Sequence, residues 1–467
     1  MPNLTPKEIE RNFTEIVPPL TEAAAAAEAG RCLYCFDAPC IKACPTHIDV
    51  PSFIRKIANG NIAGAARVIL DANPIGATCA RVCPVEVLCE GACLEKALTG
   101  KPVEIGRLQR FATDYAFANE KSLFSAAPSN GYSVGIIGSG PAGLSCAAYL
   151  ARLGYEVTVY DKRPLPGGLN TYGMAEYKMT QSDSIEEIKQ ITRLGVKFLL
   201  DTEISGCSAT EEGNVSPNQI GANGELKNSS STNLKFSSLL SRHDAIFIAA
   251  GLGATKTLNI PGEELEGVID AISFIEQVKS RDWGNISLGR RVAVIGAGNT
   301  AIDAATQAKR LGAEKVSIVY RKSEAEMPAY HYEYELAKHD GVEFIWQATP
   351  IRIVSDTAEN NKVAALRCES ADASKQVFDI PCEMVIKAIG QTKLTSFFSS
   401  LGGVETDKSG RVLVNEKMQT TNPKVFAGGD CVNGGGEAVE AAQMGKLAAI
   451  GIHETLTGEK VNFAGAF

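Results

Sequence analysis

The sequence has no surplus of basic charge, no long uninterrupted apolar run and few histidines. Each shortage removes a class of function. Its 46 Lys and Arg stand against 54 Asp and Glu, a net charge of −8, which argues against a general nucleic-acid or anionic-membrane binder. The most apolar stretch, Val134 to Leu150, is broken by Gly138, Gly140, Pro141 and Gly143, so no membrane span is expected. No secretory leader is expected either, because Glu8, Glu10, Arg11 and Glu15 interrupt the N-terminal residues before an apolar run can form. The chain reads as soluble and cytoplasmic. With 467 residues, 45% hydrophobic and 21% charged, it has ordinary globular composition and room for about three domains.

Cysteine is what stands out. Of 13 cysteines, eight fall between Cys32 and Cys93, while Cys146, Cys207, Cys368, Cys382 and Cys431 are scattered. A cytosolic chain keeps thiols reduced, so metal or cluster binding explains the crowding better than a disulfide framework. The first group is Cys32, Cys35, Cys40 and Cys44, the last followed by Pro45. The second is Cys79, Cys83, Cys89 and Cys93. Short spacings let several thiolates converge on one cubane, and a Cys followed by Pro often serves a neighbouring cluster. Structural zinc is the alternative, but it favours paired Cys-x2-Cys knuckles or a Cys/His mixture. Only Cys32 and Cys35 form such a pair, and His47 is the lone histidine of the region. Spacing alone distributes the eight thiolates over two clusters of four.

The cysteines lie in a helical region. Thr21 opens a run of alanines and glutamates, and helical pattern recurs over 50–58, 62–71 and 105–118. Near Ala126–Gly131 the character changes to short β-branched runs alternating with helices, the signature of α/β units. Two of these are strand–glycine–helix units. Gly138-Ser139-Gly140-Pro141-Ala142-Gly143 follows one strand, and Gly296-Ala297-Gly298-Asn299-Thr300-Ala301 follows another. Such glycines close a tight turn and let the backbone approach a pyrophosphate at a helix N-terminus.

After the first motif the next strand ends at Asp161, placed to hold the adenosine ribose. Gly167, Gly168 and Leu169 form a flavin-side loop, and Asp430 after Val425–Gly429 is placed for the ribityl chain of FAD. After the second motif the strand ends at Arg321-Lys322, cations that suit the 2′-phosphate of NADP better than an acid reading NAD. Gly296, Gly298, Asn299, Thr300, Ala301, Arg321 and Lys322 are the expected NAD(P) residues, with Asp303 a further polar neighbour. Residues 205–237, rich in Ser, Asn and Gly, read as a surface insertion without chemistry. The expected fold is α/β: two Rossmann-like domains preceded by an all-α iron–sulfur domain. The boundaries are 1–125 for the clusters, 126–254 with 389–467 for FAD, and 255–388 for NAD(P).

Residues Arg31 to Asp49, the Cys79–Cys93 group and Ile105–Gln109 resemble the N-terminal half of dihydropyrimidine dehydrogenase, and the resemblance runs on through both nucleotide motifs. It implies one [4Fe–4S] cluster on Cys32, Cys35, Cys40 and Cys93. It implies another on Cys44, Cys83, Cys89 and Gln109, with Cys79 not a ligand. Glutamate synthase small subunits share the plan but carry C-P-A-P-C where this chain has the longer Cys83–Cys89 interval. The resemblance further implies an oxidoreductase passing electrons between NAD(P)H and an FMN-containing catalytic partner that reduces uracil or thymine, since the family's FMN barrel does not follow here. No catalytic acid, base or nucleophile is assigned.

Overall fold

The computed structural model describes residues 4–206, 218–219, 232–356, 361–372 and 375–464. Cys207 and most of the 205–237 segment lie outside them. The helices expected from the N-terminal pattern form, and those beginning at Glu22, Val50 and Ile62 carry side-chain N-caps. Thr21 accepts from Ala24 N at 3.2 Å and opens Glu22–Ala29. Asp49 accepts from Ser52 N at 3.1 Å and opens Val50–Ala58, whose Val50, Phe53, Ile54 and Ile57 make one buried stripe. Ile62–Ala72, Gly76–Val82 and Ile105–Ala118 complete the bundle around the cysteines.

Two parallel sheets follow. In the first, the order is Val425–Ala427, Ala245–Ile248, Ser133–Ile137, Glu156–Tyr160, Lys197–Leu200, with Asn218–Gln219 antiparallel at the edge. In the second it is Glu343–Ile345, Lys315–Val319, Arg291–Ile295, Met384–Lys387, Val268–Asp270. In each, the strand before the glycine motif lies inside the sheet, and the chain reaches neighbours on both sides of it. That reversal opens a crevice at the carboxyl ends of the strands, where doubly wound sheets bind nucleotides. A three-stranded antiparallel sheet, Ala348–Ser355, Val363–Ser370 and Val377–Pro381, adds to the second fold. Among the described residues no helix is long and apolar enough to cross a membrane.

The chain forms two compact units. One holds residues 17–171, 182–252 and 393–464; the other holds 4–16, 172–181 and 253–392. The sequence reading began the helical module at residue 1, whereas residues 4–16 pack with the second nucleotide fold. The reason is apolar: Ile9 and Phe13 enter its core, and the Phe13 ring stacks on Trp283 at 5.1 Å. Residues 172–181, expected within the FAD domain, join the same unit through Ala175 and Tyr177, which enter its core, and through charge. Lys178 Nζ lies 2.7 Å from Asp303 and 2.5 Å from Glu333, all three nearly out of solvent. Burial alone would lower the Lys178 pKa, but the two carboxylates outweigh it and hold the ammonium charged.

Lys178→Ala is therefore expected to cost about 3–5 kcal/mol, because it leaves two buried carboxylates facing each other. Lys315→Ala, which breaks an exposed pair with Glu343, should cost about 1 kcal/mol or less. Chemical-denaturation midpoints read the difference, and equal midpoints for the two variants would contradict the assignment.

Candidate functional site

The first glycine motif is tied into one loop cluster by Ser139. Its N–H donates to Asp161 Oδ2 at 2.8 Å and its hydroxyl donates to the same oxygen. Gly167 N returns to the Ser139 carbonyl and hydroxyl, each at 3.1 Å. Gly138 has φ +101°, and a Cβ on Gly143 would stand 2.0 Å from the Gly138 carbonyl oxygen, so the turn closes only with glycine at both positions. A Cβ on Gly168 would come within 2.8 Å of Gly140 Cα. Gly429, before Asp430, packs on Ala142, and the helix Ala438–Thr457 lies along Pro141–Arg152, with Ser145 Oγ donating to Ala442 O at 2.7 Å. Gly138, Gly140, Gly143, Asp161, Gly168 and Asp430 are thus gathered around one backbone cradle. Leu169 starts the short helix beside it. Burial pushes the Asp430 carboxyl up, opposed by its bond from Gly436 N at 3.2 Å. A cradle floored by bare backbone fits a pyrophosphate, and the two carboxylates fit sugar hydroxyls.

The second motif opens a cleft of about 680 Å³ lined by Gly296, Gly298, Thr300 and Arg321, within the usual size of a ligand pocket. Three other expected residues are not among its lining. Asn299 Oδ1 instead accepts from Tyr330 N at 3.0 Å. Ala301 is wholly buried in the core, and Lys322 is drawn 3.3 Å from Glu326. Asp303 is likewise turned inward, accepting from Tyr177 OH at 2.9 Å. Lys256 and Lys387 line the cleft and were not anticipated, because no motif surrounds them.

Cys32, Cys35, Cys40 and Cys93 stand around one cavity with Val50, Ile54 and Ile105. Cys44, Cys83 and Cys89 form a second neighbourhood. The Cys79 thiol hydrogen-bonds Cys83 and, with burial and the nearby Cys79, Cys44 and Cys89 sulfurs, pushes the Cys83 thiol far up. A cationic centre placed among these sulfurs would reverse that preference. Among the described residues no set of three or more His, Cys, Asp or Glu closes to the spacing of a single coordinated ion. Cys79 is buried and accepts from Asn73 Nδ2 at 3.1 Å. Gln109 is buried, and its Nε2 donates to Gly76 O at 2.7 Å; this leaves the amide oxygen as the atom it could offer a cluster.

Sequence reasoning missed the junction between these cysteines and the first cradle. Glu187 receives Ala77 N at 2.7 Å, Thr78 N at 3.2 Å and Thr78 Oγ1 at 2.5 Å. Asn170, next to Leu169, donates to the same Thr78 hydroxyl at 3.4 Å. Thr78 lies on the helix Gly76–Val82, which carries Cys79 and is followed by Cys83. Arg81 of that helix reaches Asp114 at 2.8 Å and Asp183 at 3.2 Å. The available signal was Glu187 itself, a carboxylate on the buried stripe Ser184, Glu187, Ile188, Ile191 of Gln181–Thr192.

Fold and site together define a class: an oxidoreductase with two nucleotide-binding folds preceded by an iron–sulfur module. The chain belongs to the pyridine nucleotide-disulphide oxidoreductase family, whose model matches residues 132–445. Residues 9–121 match dihydropyrimidine dehydrogenase domain II, 4Fe-4S cluster. The chain is 33% identical over 442 residues to the NAD-dependent dihydropyrimidine dehydrogenase subunit PreT of Salmonella typhimurium, covering 95% of this chain and 97% of that one. It is also 33% identical over 473 residues to the glutamate synthase [NADPH] small chain of Halomonas elongata, covering 96% and 94%. The fold likeness extends to Lactococcus lactis thioredoxin reductase, at 23% identity and a TM-score of 0.52 over 70% of this chain and all of that one.

Burial pushes Glu187 up to about 7 against the hydrogen bonds from Thr78 and Ala77 that pull it down. The folded chain then holds a proton that the unfolded chain has released between its ordinary value of 4.5 and about 7. The stability this contributes is present at low pH and is lost as pH rises through about 7. In Glu187→Gln that portion of the pH dependence should vanish. Unfolding midpoints of both proteins from pH 5 to 8 test it; parallel profiles would show that Glu187 does not titrate there.

Proposed function

We propose that this chain is the reductase subunit of a dihydropyrimidine dehydrogenase, taking electrons from NAD(P)H and passing them to a partner chain that bears FMN. The balanced reaction of the complex is NAD(P)H, a proton and uracil or thymine giving NAD(P)⁺ and the 5,6-dihydropyrimidine. FAD held by this chain would supply the exchange between two-electron hydride chemistry and the single electrons that iron–sulfur clusters would carry. The residues to hold FAD are Gly138, Gly140, Gly143, Asp161, Gly168, Leu169 and Asp430. Those to hold the two [4Fe–4S] clusters are Cys32, Cys35, Cys40 and Cys93, and Cys44, Cys83, Cys89 and Gln109. The observation that carries the reading is the Asn170–Thr78–Glu187 junction, which fastens the flavin-side loop to the helix leading to Cys83.

Gly296, Gly298, Thr300 and Arg321 would hold the nicotinamide cofactor, with Asn299 and Ala301 shaping the glycine turn and Lys322 beside Arg321 after the next strand. The PreT relative is named NAD-dependent and the glutamate synthase relative NADPH-dependent, so the names do not choose. Arg321 in the cleft favours NADP. Arg321→Ala is expected to raise the KM for NADPH about tenfold or more, the loss of one charge-assisted contact, and to leave the KM for NADH nearly unchanged. Equal effects on both cofactors would remove the 2′-phosphate role.

A second reading, the small chain of a glutamate synthase, rests on the equal identity to that relative. The five-residue Cys83–Cys89 interval weighs against it. Anaerobic purification with identification of the chain that copurifies separates the two: an FMN barrel and uracil reduction support the first reading, and a glutaminase-bearing chain overturns it. Within this assignment, Cys83→Ser should lower bound iron while Cys79→Ser should not, by iron analysis and EPR. Iron loss in Cys79→Ser would return Cys79 to the ligand set.

A further inference from the structure

Exposed large apolar residues gather around the first cysteine group. Leu33 lies between Cys32 and Cys35, Phe36 follows Cys35, and Leu94 follows Cys93. Cys32, Leu33, Cys35, Cys93 and Leu94 line one cavity, and Leu98 stands one turn beyond Leu94 on the helix Leu94–Thr99. Phe36 is 106% exposed and Leu98 70%. A phenylalanine held fully in water contributes nothing to the fold, and covering it with a partner's apolar surface is favourable.

Several charges nearby are compensated within the chain, while the exposed Lys96, between Leu94 and Leu98, has no ion pair among the described residues. Lys42 pairs with Asp37 at 2.7 Å, Arg31 with Glu28 at 2.5 Å, and Lys101 with Glu104 at 3.1 Å. Attraction at this face is therefore mainly apolar, with Lys96 the exposed cation beside it. With Phe36 at about 150–250 Å² for an aromatic side chain and three partly exposed leucines beside it, the face presents on the order of 500 Å². As the core of an interface about 60% apolar, that implies about 800 Å² per partner. This is the standard size of a specific hetero-complex, well below the area of an obligate homodimer.

We infer that the rim formed by Leu33, Phe36, Leu94 and Leu98 is the docking face for the electron-accepting partner, which meets it with an apolar, uncharged surface. The inference rests on the function proposed above. It places the Cys32–Cys35–Cys40–Cys93 group at the exit of the chain and the Cys44–Cys83–Cys89 group nearer the flavin-side loop.

The test is the double variant Phe36→Ser/Leu98→Ser in the full, anaerobically purified protein. Iron content, the EPR spectrum after dithionite reduction and NAD(P)H-driven ferricyanide reduction should match wild type. The KM for the FMN-bearing chain that copurifies with wild type should rise about tenfold or more, as for loss of a central aromatic anchor. Wild-type association should change little with added salt. An unchanged KM overturns the docking face. A wild-type homodimer that the variant dissociates overturns the partner, since a second copy would then occupy the rim. If wild type instead retains a glutaminase-bearing chain and the variant releases it, the face stands and the pyrimidine reading fails. Should the double variant lose iron, Phe36→Ala alone, which removes no packed contact, gives the same comparison.

Discussion

Among the contacts that join the cysteine helices to the first nucleotide fold, a deeply buried set centres on one carboxylate. Glu187 receives the N–H groups of Ala77 and Thr78 and the Thr78 hydroxyl, and it stands almost entirely out of water. A buried acid is costly unless it is fully bonded, so this contact admits little drift between the helix leading to Cys83 and the helix Gln181–Thr192. The flavin-side loop enters the same network through Asn170. Electron transfer falls steeply with distance, and a joint that cannot slip is what such transfer requires.

The architecture was legible where residues obey a period or a spacing. The two strand–glycine–helix units could be read because no other residue types close those turns, and the cap residues Thr21 and Asp49 announce their helices. The gathering of Cys32, Cys35 and Cys40 follows from short spacing. That Cys93 joins them, 53 residues beyond Cys40 in number alone, came from family resemblance and not from any local pattern. The cleft was only partly legible. Arg321 faces it as its strand-end position suggests, but the neighbouring Lys322 is captured by Glu326, four residues on, through a contact that strand-end reasoning does not weigh.

The two segments that changed units were illegible for a different reason. Residues 4–16 and 172–181 are short, and each is held by tertiary partners far away in sequence. Phe13 needs Trp283, and Lys178 needs Asp303 and Glu333. Neither carries a motif of its own, so linear order assigned each to its neighbours. The Glu187 junction shares this character, since its partners lie 109 and 110 residues away. Such long-range polar contacts leave a trace in sequence only as a misplaced charge on an apolar face.

In the proposed function, electrons from a nicotinamide cofactor reach iron–sulfur clusters held by the N-terminal cysteines. Its most direct test is anaerobic titration of the purified protein with NAD(P)H, following flavin absorbance and low-temperature EPR together. Bleaching of flavin accompanied by signals of reduced [4Fe–4S] clusters is the expected result. Flavin bleaching with iron clusters that stay oxidised, or a protein that holds zinc in place of iron, would contradict it.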